Sequence, residues 1–243
     1  MGRKSAGLYP TFEQHITLGP MTRTLAIGDI HGCLTALKAV VEAAQIEPSD
    51  LLITLGDYVD RGRDSRGVID WLIEKHRTGR LVPIRGNHDL MMSDARFNNE
   101  IRDCWISVGG VQTLKSYGQN GRIGTLDDVP PEHWSFIDET CLRYFETERH
   151  IFVHAMLEAS TPLAEQQDSV IYWERFQDPK PHCSGKIMVC GHTSQKLGHP
   201  LNLGHAICLD TWVHGVGWLT CFDVDTGEYW QARETGEVRS VTL

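Results

Sequence analysis

Residues 24–62 read TLAIGDIHGCLTALKAVVEAAQIEPSDLLITLGDYVDRG, two short apolar runs separated by an amphipathic stretch. The runs at 25–27 and 51–55 have the length and the continuous apolar character of strands buried in a sheet. Apolar residues between them recur at helical spacing, and a second helical stretch leads to a third run at 81–84. This order predicts a β-α-β-α-β series whose parallel strands end at the same edge of one sheet.

The remainder of the chain predicts further strands and a covering segment. Apolar runs at 151–153 and 187–190 are typical of buried strands. Short alternating runs at 206–209, 218–222 and 229–231 are separated by Gly/Asp turns and predict hairpins. The segment 90–150 is polar, leans towards helix and contains no strong chemical motif, which makes it a candidate cover for the site.

Composition restricts the partners and the compartment. The 243 residues contain 23 Lys and Arg against 32 Asp and Glu, and a net charge of −9 disfavours a nucleic-acid surface. The seven cysteines form no C-x-x-C pair, which argues against a disulfide framework or a zinc ribbon. No run is apolar for long enough to span a membrane. We expect a cytoplasmic protein without nucleic-acid or membrane partners, with a loose extension at 1–20 and a single domain at 21–243.

Charged or metal-ligating residues follow each of the first five predicted strands. The motifs are GDIHG at 28–32, GDYVDRG at 56–62, RGNHD at 85–89, HA at 154–155 and GHT at 191–193. Carboxylate, imidazole and amide ligands suit Mn²⁺, Fe or Zn²⁺, and the motifs lack the thiolates of a structural zinc or iron–sulfur site. Six such side chains are too many for one catalytic metal with an open position, so the pattern predicts a pair of ions.

In this order the motifs resemble those of the phosphoprotein phosphatase family of calcineurin-like metallophosphoesterases, especially the compact bacterial and bacteriophage lambda-type serine/threonine phosphatases. The resemblance extends from Thr22 to the C-terminus, and GDYVDRG together with GNHD is highly specific. It implies an α/β fold, a central β-sandwich flanked by helices, with a two-metal site at the strand ends. One departure is Trp212, which replaces a glycine common in the bacterial group.

The resemblance also implies the metal ligands. One ion takes Asp29 and His31, the other takes Asn87, His154 and His192, and Asp57 bridges both. We expect two divalent ions, with Mn²⁺ favoured and Fe or Zn²⁺ as alternatives, because these ligand types suit several metals.

Catalytic groups follow from the same resemblance. Arg61, Arg175 and Asn87 contact the phosphate, His88 donates a proton to the leaving oxygen, and Asp60 orients His88. Physical chemistry supports these roles, because a phosphate dianion needs fixed positive charge and an alkoxide from Ser or Thr leaves poorly without a proton.

The predicted reaction is hydrolysis of phosphoserine or phosphothreonine monoesters in a phosphoprotein or phosphopeptide, by direct attack of a metal-bridging hydroxide. A symmetrical diadenosine tetraphosphate hydrolase, acting on nucleotide polyphosphates, is the alternative, since such enzymes resemble this chain in the first motif and in GNHD. Asp60, typically alanine in those hydrolases, and Thr193, where they carry GHW, favour the phosphatase. A non-catalytic phosphate-binding regulatory protein is less favoured because every proposed group is present.

Two residues outside these motifs also bear on the site. Trp105, close to the glycine pair at 109–110, is a candidate for lining the substrate cleft. His214 is expected at the surface or just behind the metal ligands. Neither residue belongs to a motif, so the sequence alone assigns no chemical role to them.

Overall fold

Within residues 23–241, which the computed structural model describes, the chain forms eleven β-strands and seven α-helices. In chain order they are β1 (Thr24–Ile27), α1 (Leu34–Ala43), β2 (Leu51–Thr54), α2 (Ser65–Arg77), β3 (Leu81–Pro83), α3 (Asn87–Asp94), α4 (Asn99–Trp105), α5 (Val111–Tyr117), α6 (Pro131–Ser135), β4 (Tyr144–Glu146), β5 (His150–Val153), α7 (Asp168–Trp173), β6 (Ile187–Cys190), β7 (Leu201–Asn202), β8 (Ala206–Cys208), β9 (Leu219–Asp223), β10 (Tyr229–Ala232) and β11 (Val238–Val241). The predicted N-terminal extension at 1–20 lies outside the described residues.

The first sheet is built on the strands that the N-terminal pattern predicts. Strands β1, β2 and β3 pair in parallel and are connected by α1 and α2, which confirms the β-α-β-α-β series. Strand β9 pairs antiparallel with β1, and β10 and β11 continue outward from it. The strand order is therefore β11-β10-β9-β1-β2-β3.

A second sheet has the strand order β4-β5-β6-β8-β7. Strands β5, β6 and β8 run parallel to one another. The prediction of a hairpin between the runs at 206–209 and 218–222 is wrong, because β8 pairs with β6 in this sheet whereas β9 belongs to the first. Ile207 of β8 is buried between the sheets, so long-range packing decides where this strand lies. The hairpin formed by β9 and β10 is confirmed.

The two sheets enclose an apolar core. Alternate side chains of a strand point to opposite faces, so Leu25 and Ile27 of β1 pack among the helices while Ala26 faces the second sheet. Large buried members of the core between the sheets are Ile53, Val82, Phe152, Val189 and Ile207. Helices α1 and α2 cover the outer face of the first sheet and α7 covers the outer face of the second. This arrangement is the sandwich flanked by helices that the resemblance implies.

The segment 90–150 is largely helical, as expected. Helix α4 passes into a π turn at Ile106–Gly110, where the backbone of Gly109 reverses at φ 134°, and α5 follows at once. Buried side chains of this segment, Trp105 among them, join the core around α1 and α2. Across residues 23–241, no helix combines the length and the apolar character needed to cross a membrane.

The core between the sheets makes a testable contribution to stability. Phe152→Ala removes a fully buried ring, so we expect the free energy of unfolding to fall by about 3–5 kcal/mol. Denaturant titration followed by circular dichroism measures the change. Phe97→Ala is the matched control, because that ring is 82% exposed and its loss should cost less than about 0.5 kcal/mol. Equal losses in the two variants would contradict the assignment of the core.

Candidate active site

The ends of β1, β2, β3, β5 and β6 meet at one edge of the sandwich, and their loops bring the predicted ligands together. Two groups of three side chains have their ligand atoms within 4.8 Å of one another: His31, Asp57 and His88, and Asp57, His154 and His192. Asp57 belongs to both groups. Its Oδ2 lies 3.4 Å from His31 Nε2, and its Oδ1 lies 3.4 Å from His154 Nε2. Each carboxylate oxygen therefore faces one cluster, as a bridging ligand would.

The protein holds Asp57 in its ionised form. Burial raises the pKa of this carboxyl, but the neighbouring imidazoles, His154 first and His88 next, bring the pKa well below its ordinary value. The backbone N–H of His88 also donates to Asp57 Oδ1 at 3.0 Å. Gly86 permits this approach, because a Cβ at that position would lie 2.2 Å from the backbone nitrogen of Asp57.

Backbone carbonyls orient two of the histidines. His31 Nδ1 donates to the carbonyl of Val59 at 2.9 Å, and His154 Nδ1 donates to the carbonyl of Leu55 at 2.7 Å. Each Nε2 is thereby left unprotonated, with its lone pair on the side of Asp57. A hydrogen bond behind the ring is the usual way in which proteins fix a metal-binding imidazole. Burial, the largest effect, lowers the pKa of His31 well below its usual value and favours this neutral form.

Asn87 and His192 complete the second cluster. Asn87 Oδ1 lies 2.9 Å from His154 Nε2 and 3.0 Å from His192 Nδ1. Burial and the nearby His154 lower the pKa of His192 to about 4, and its Nε2 donates to the carbonyl of Trp173 at 3.2 Å. The free lone pairs of both imidazoles thus face the oxygens of Asn87 and Asp57. Acceptor atoms converge in this way around a cation, so the donor set fits a divalent metal.

Asp29 is placed differently from the other predicted ligands. Both of its carboxylate oxygens lie 3.0 Å from the backbone nitrogen of His192, which donates to them. Burial, then the carboxylates of Asp210 and Asp57, raise the pKa of Asp29 well above its usual value. Asp29 is absent from the two closest groups among the described residues, where His88 takes the third place beside His31 and Asp57. Its role as a ligand stays a prediction.

His88 and Asp60 form a tight pair beside the clusters. His88 Nδ1 lies 2.6 Å from Asp60 Oδ2, and both side chains are buried. Burial lowers the pKa of His88, but the carboxylates of Asp57 and Asp60 outweigh it, so the net pKa lies above its usual value. A second proton, on Nε2, is therefore held more readily than by a free imidazole. The geometry is that of a proton donor oriented by a carboxylate.

The two predicted arginines occupy different positions. Arg61 lies within the site, where Nη1 is 2.8 Å from His31 Nε2 and Nη2 is 2.8 Å from His88 Nε2. Arg175 is exposed and follows α7. The chain on either side of Arg175 contacts the site, since the carbonyl of Trp173 accepts from His192 Nε2 at 3.2 Å and Phe176 N–H donates to Thr193 Oγ1 at 2.8 Å. Arg175 thus lies at the rim, and its contact with phosphate stays a prediction.

Backbone strain is concentrated at this site. Left-handed φ values between 47° and 74° occur at His31, Asp57, Asp60, Arg61, His192 and Trp212. Such conformations are unfavourable for residues with a Cβ and are typical of functional sites. The φ of 67° at Trp212 also explains why a glycine suits this position.

Three side chains next to the predicted groups are not found by motif. Trp105 is fully buried, so the hypothesis that it lines the cleft is wrong; its indole N–H instead donates to Asp60. Thr113 Oγ1 donates to Asp60 Oδ1 at 2.7 Å. His214 is half-buried, with its ring centroid 4.7 Å from that of His31 and its Nε2 3.4 Å from Arg61 Nη1. Near Trp105 and Thr113 the sequence offers one signal, the glycine pair at 109–110. Glycine permits close approach of the backbone to a neighbouring group.

Comparison with known proteins agrees with the motifs and the fold. The profile of calcineurin-like phosphoesterases matches residues 22–201. Serine/threonine-protein phosphatase 1 of Salmonella typhimurium is 31% identical over 136 residues, 56% of this chain and 59% of that protein. The symmetrical bis(5'-nucleosyl)-tetraphosphatase of Pseudomonas entomophila is 40% identical over 78 residues, 32% of this chain and 27% of that protein. The aligned part is thus little more than half of the first relative and about a quarter of the second.

A solved structure assigned as a diadenosine tetraphosphatase has the same fold. It superposes with a TM-score of 0.60 over 90% of this chain and 92% of that chain, at 22% sequence identity. The family profile covers most of the chain, from β1 through the last of the predicted ligands. The chain therefore belongs to the calcineurin-like phosphoesterase family.

Proposed function

We propose that this chain is a metal-dependent phosphatase that hydrolyses phosphoserine and phosphothreonine monoesters in exposed segments of proteins. The observation that carries the proposal is the His88–Asp60 pair, with 2.6 Å between Nδ1 and Oδ2, placed directly beside the carboxylate shared by both metal-ligand clusters. The alternatives, an anhydride hydrolase and a non-catalytic phosphate-binding protein, need this oriented proton donor less or not at all.

Enzymes of this family use a dinuclear divalent metal centre. Two ions, for which we propose Mn²⁺, supply an activated water and positive charge for the phosphate oxygens when they are bound. The residues that would hold them are Asp57, shared by both ions, with Asn87, His154 and His192 on one side and His31 and Asp29 on the other. The acceptor atoms that converge on one another there support this assignment.

Arg61 supplies further positive charge for the substrate. Its guanidinium carries parallel N–H groups that match two oxygens of a phosphate. Its two terminal nitrogens each lie 2.8 Å from an imidazole Nε2, one that of His31 and the other that of His88. A phosphate held at the same place would be bound next to the proton donor. Arg175 at the rim would bind a phosphate oxygen or an acidic side chain of the substrate.

The two candidate substrate classes, a phosphoester and a phosphoanhydride, differ in how much their leaving group needs a proton. A serine or threonine oxygen leaves as an alkoxide unless a proton is supplied, whereas the nucleotide released from a polyphosphate is stable without one. Asp60 and His88 are the residues that would supply the proton. Sequence similarity alone does not choose, because this chain matches both the Salmonella phosphatase and the Pseudomonas tetraphosphatase over parts of their length.

The metal assignment is tested by Asp57→Asn. Loss of a residue that supports a metal ligand from behind weakens metal binding by up to about 100-fold. Asp57 is proposed to be a ligand itself, so its replacement should weaken binding of both ions by at least about 100-fold. Elemental analysis after reconstitution with Mn²⁺ and dialysis measures the bound metal. Asp178→Asn, an exposed position with 79% of its side chain accessible, should retain the metal content of the wild type. A chelated wild-type protein that kept full activity would eliminate metal dependence.

The proton donor is tested by His88→Asn. Turnover of a phosphoserine peptide should fall about 10²–10⁴-fold, because the leaving alkoxide loses its proton source. Turnover of p-nitrophenyl phosphate, whose leaving group needs no proton, should fall much less. His199→Asn, at an exposed position, serves as the control and should leave both rates unchanged. Equal damage to the two substrates by His88→Asn would argue against the acid role.

The substrate class is tested by measuring kcat/KM for phosphopeptides and for diadenosine tetraphosphate with the same Mn²⁺-loaded enzyme. We expect the phosphopeptide to be preferred, because only its leaving group benefits from the oriented acid. A preference of about 100-fold for the dinucleotide, or about 2.7 kcal/mol of transition-state binding, would assign the chain to the tetraphosphatases instead.

A further inference from the structure

We propose that Trp105 and Thr113 are positioning residues for the proton donor. Together they hold the Asp60 carboxylate in the orientation that receives His88 Nδ1. This inference rests on the proposed function, since it concerns the same acid pair, and it gives the segment 90–150 a role behind the site.

The Asp60 carboxylate is fixed from three directions. Trp105 Nε1 lies 2.9 Å from both carboxylate oxygens and donates between them. Thr113 Oγ1 donates to Oδ1 at 2.7 Å, while His88 Nδ1 lies 2.6 Å from Oδ2. Rotation of the carboxylate about its Cβ–Cγ bond would break at least one of these hydrogen bonds. The plane of the group, and hence the oxygen offered to His88, is therefore set by the indole and the hydroxyl.

Thr113 holds the backbone of Asp60 as well as its side chain. The backbone N–H of Asp60 donates to Thr113 Oγ1 at 2.8 Å, which leaves the hydroxyl proton of Thr113 for the carboxylate. Ser65 Oγ lies 3.0 Å from the same hydroxyl oxygen. Asp60 has a left-handed φ of 74°, a conformation that needs such support from its surroundings. The Thr113 hydroxyl thus fixes both the backbone nitrogen and the carboxylate of Asp60.

Water cannot replace the hydrogen bonds from Trp105 and Thr113 to Asp60, because all three side chains are buried. Asp60, Trp105 and Thr113 each have an exposed fraction of 0%. A carboxylate that loses a donor in such a place finds no water to replace it. Removal of the Trp105 or Thr113 donor should therefore change how the Asp60 carboxylate is oriented towards His88.

The backbone around Trp105 is shaped to reach Asp60. A Cβ on Gly110 would lie 2.6 Å from the indole ring, and a Cβ on Gly109 would lie 2.8 Å from Arg61 Cγ. The carbonyl of Gly109 accepts the backbone N–H of Arg61 at 3.3 Å. The π turn between α4 and α5 therefore packs against both Asp60 and Arg61, and the glycine pair allows it.

The experiment compares two substrates across a small set of variants. Trp105→Phe removes the indole N–H but keeps a buried aromatic ring, and Thr113→Val removes the hydroxyl at constant shape. We expect each to lower kcat for a phosphoserine peptide by about 10-fold or more, with p-nitrophenyl phosphate affected less than about 3-fold and KM little changed. Thr113→Ser, which retains the hydroxyl, should restore the peptide rate. Trp134→Phe, at an indole that stacks on Arg96, is the matched control and should change neither rate.

Two reference variants separate the possible failures. If Asp60→Asn shows the difference between substrates but Trp105→Phe and Thr113→Val lower both rates equally, or neither, the positioning role is overturned while the proposed function stands. If Asp60→Asn and His88→Asn show no such difference, the proposed acid pair fails and the positioning role fails with it. Combining Trp105→Phe with Asp60→Asn should cost little beyond Asp60→Asn alone, because the indole acts through that carboxylate. Additive losses would contradict this.

Discussion

One buried carboxylate, Asp57, lies among imidazole nitrogens and an amide oxygen, and the lone pairs of these acceptor atoms repel one another unless a cation lies between them. The two oxygens of Asp57 face imidazole nitrogens on either side at 3.4 Å, and an amide oxygen points into the same space. Much of the surrounding structure serves this arrangement. Backbone carbonyls behind His31 and His154 orient the two imidazole rings, and glycine at position 86 lets a neighbouring strand end approach. His31, Asp57 and His192 have left-handed backbone, which the surrounding contacts must hold in place.

The parts of the fold that depend on local pattern are predictable from sequence. The β-α-β-α-β series follows from apolar periodicity and from the handedness of crossover connections, and parallel strands then bring their ends together without any further information. Strand β8 is not predictable in this way. Its run of apolar residues is followed by a turn and another strand, as in a hairpin, yet burial of Ile207 between the sheets places it beside β6.

In the site, too, residues that follow a local motif are predictable from sequence, whereas residues placed by long-range packing are not. Residues directly after strands carry motifs and are found from sequence, although the closest groups in the structure contain His88 where Asp29 is expected. Trp105 and Thr113 lie 45 and 53 residues from Asp60, and His214 lies 153 residues from Arg61. Their contacts are fixed by how a π turn and a C-terminal loop pack, which no local spacing encodes. For Arg175 the motif match predicts a contact with phosphate, and the structure adds that this side chain is exposed, at the rim of the site.

The proposed metal ligands come from both sheets of the sandwich. His31, Asp57 and Asn87 follow strands of the first sheet, whereas His154 and His192 follow strands of the second. A cation coordinated between the two sheets would bind the folded chain and would find no equivalent site in the unfolded one, so its binding free energy would add to the stability of the fold. A metal centre held by these residues would therefore connect the two sheets, and the resistance of the protein to heat would depend on the concentration of free metal.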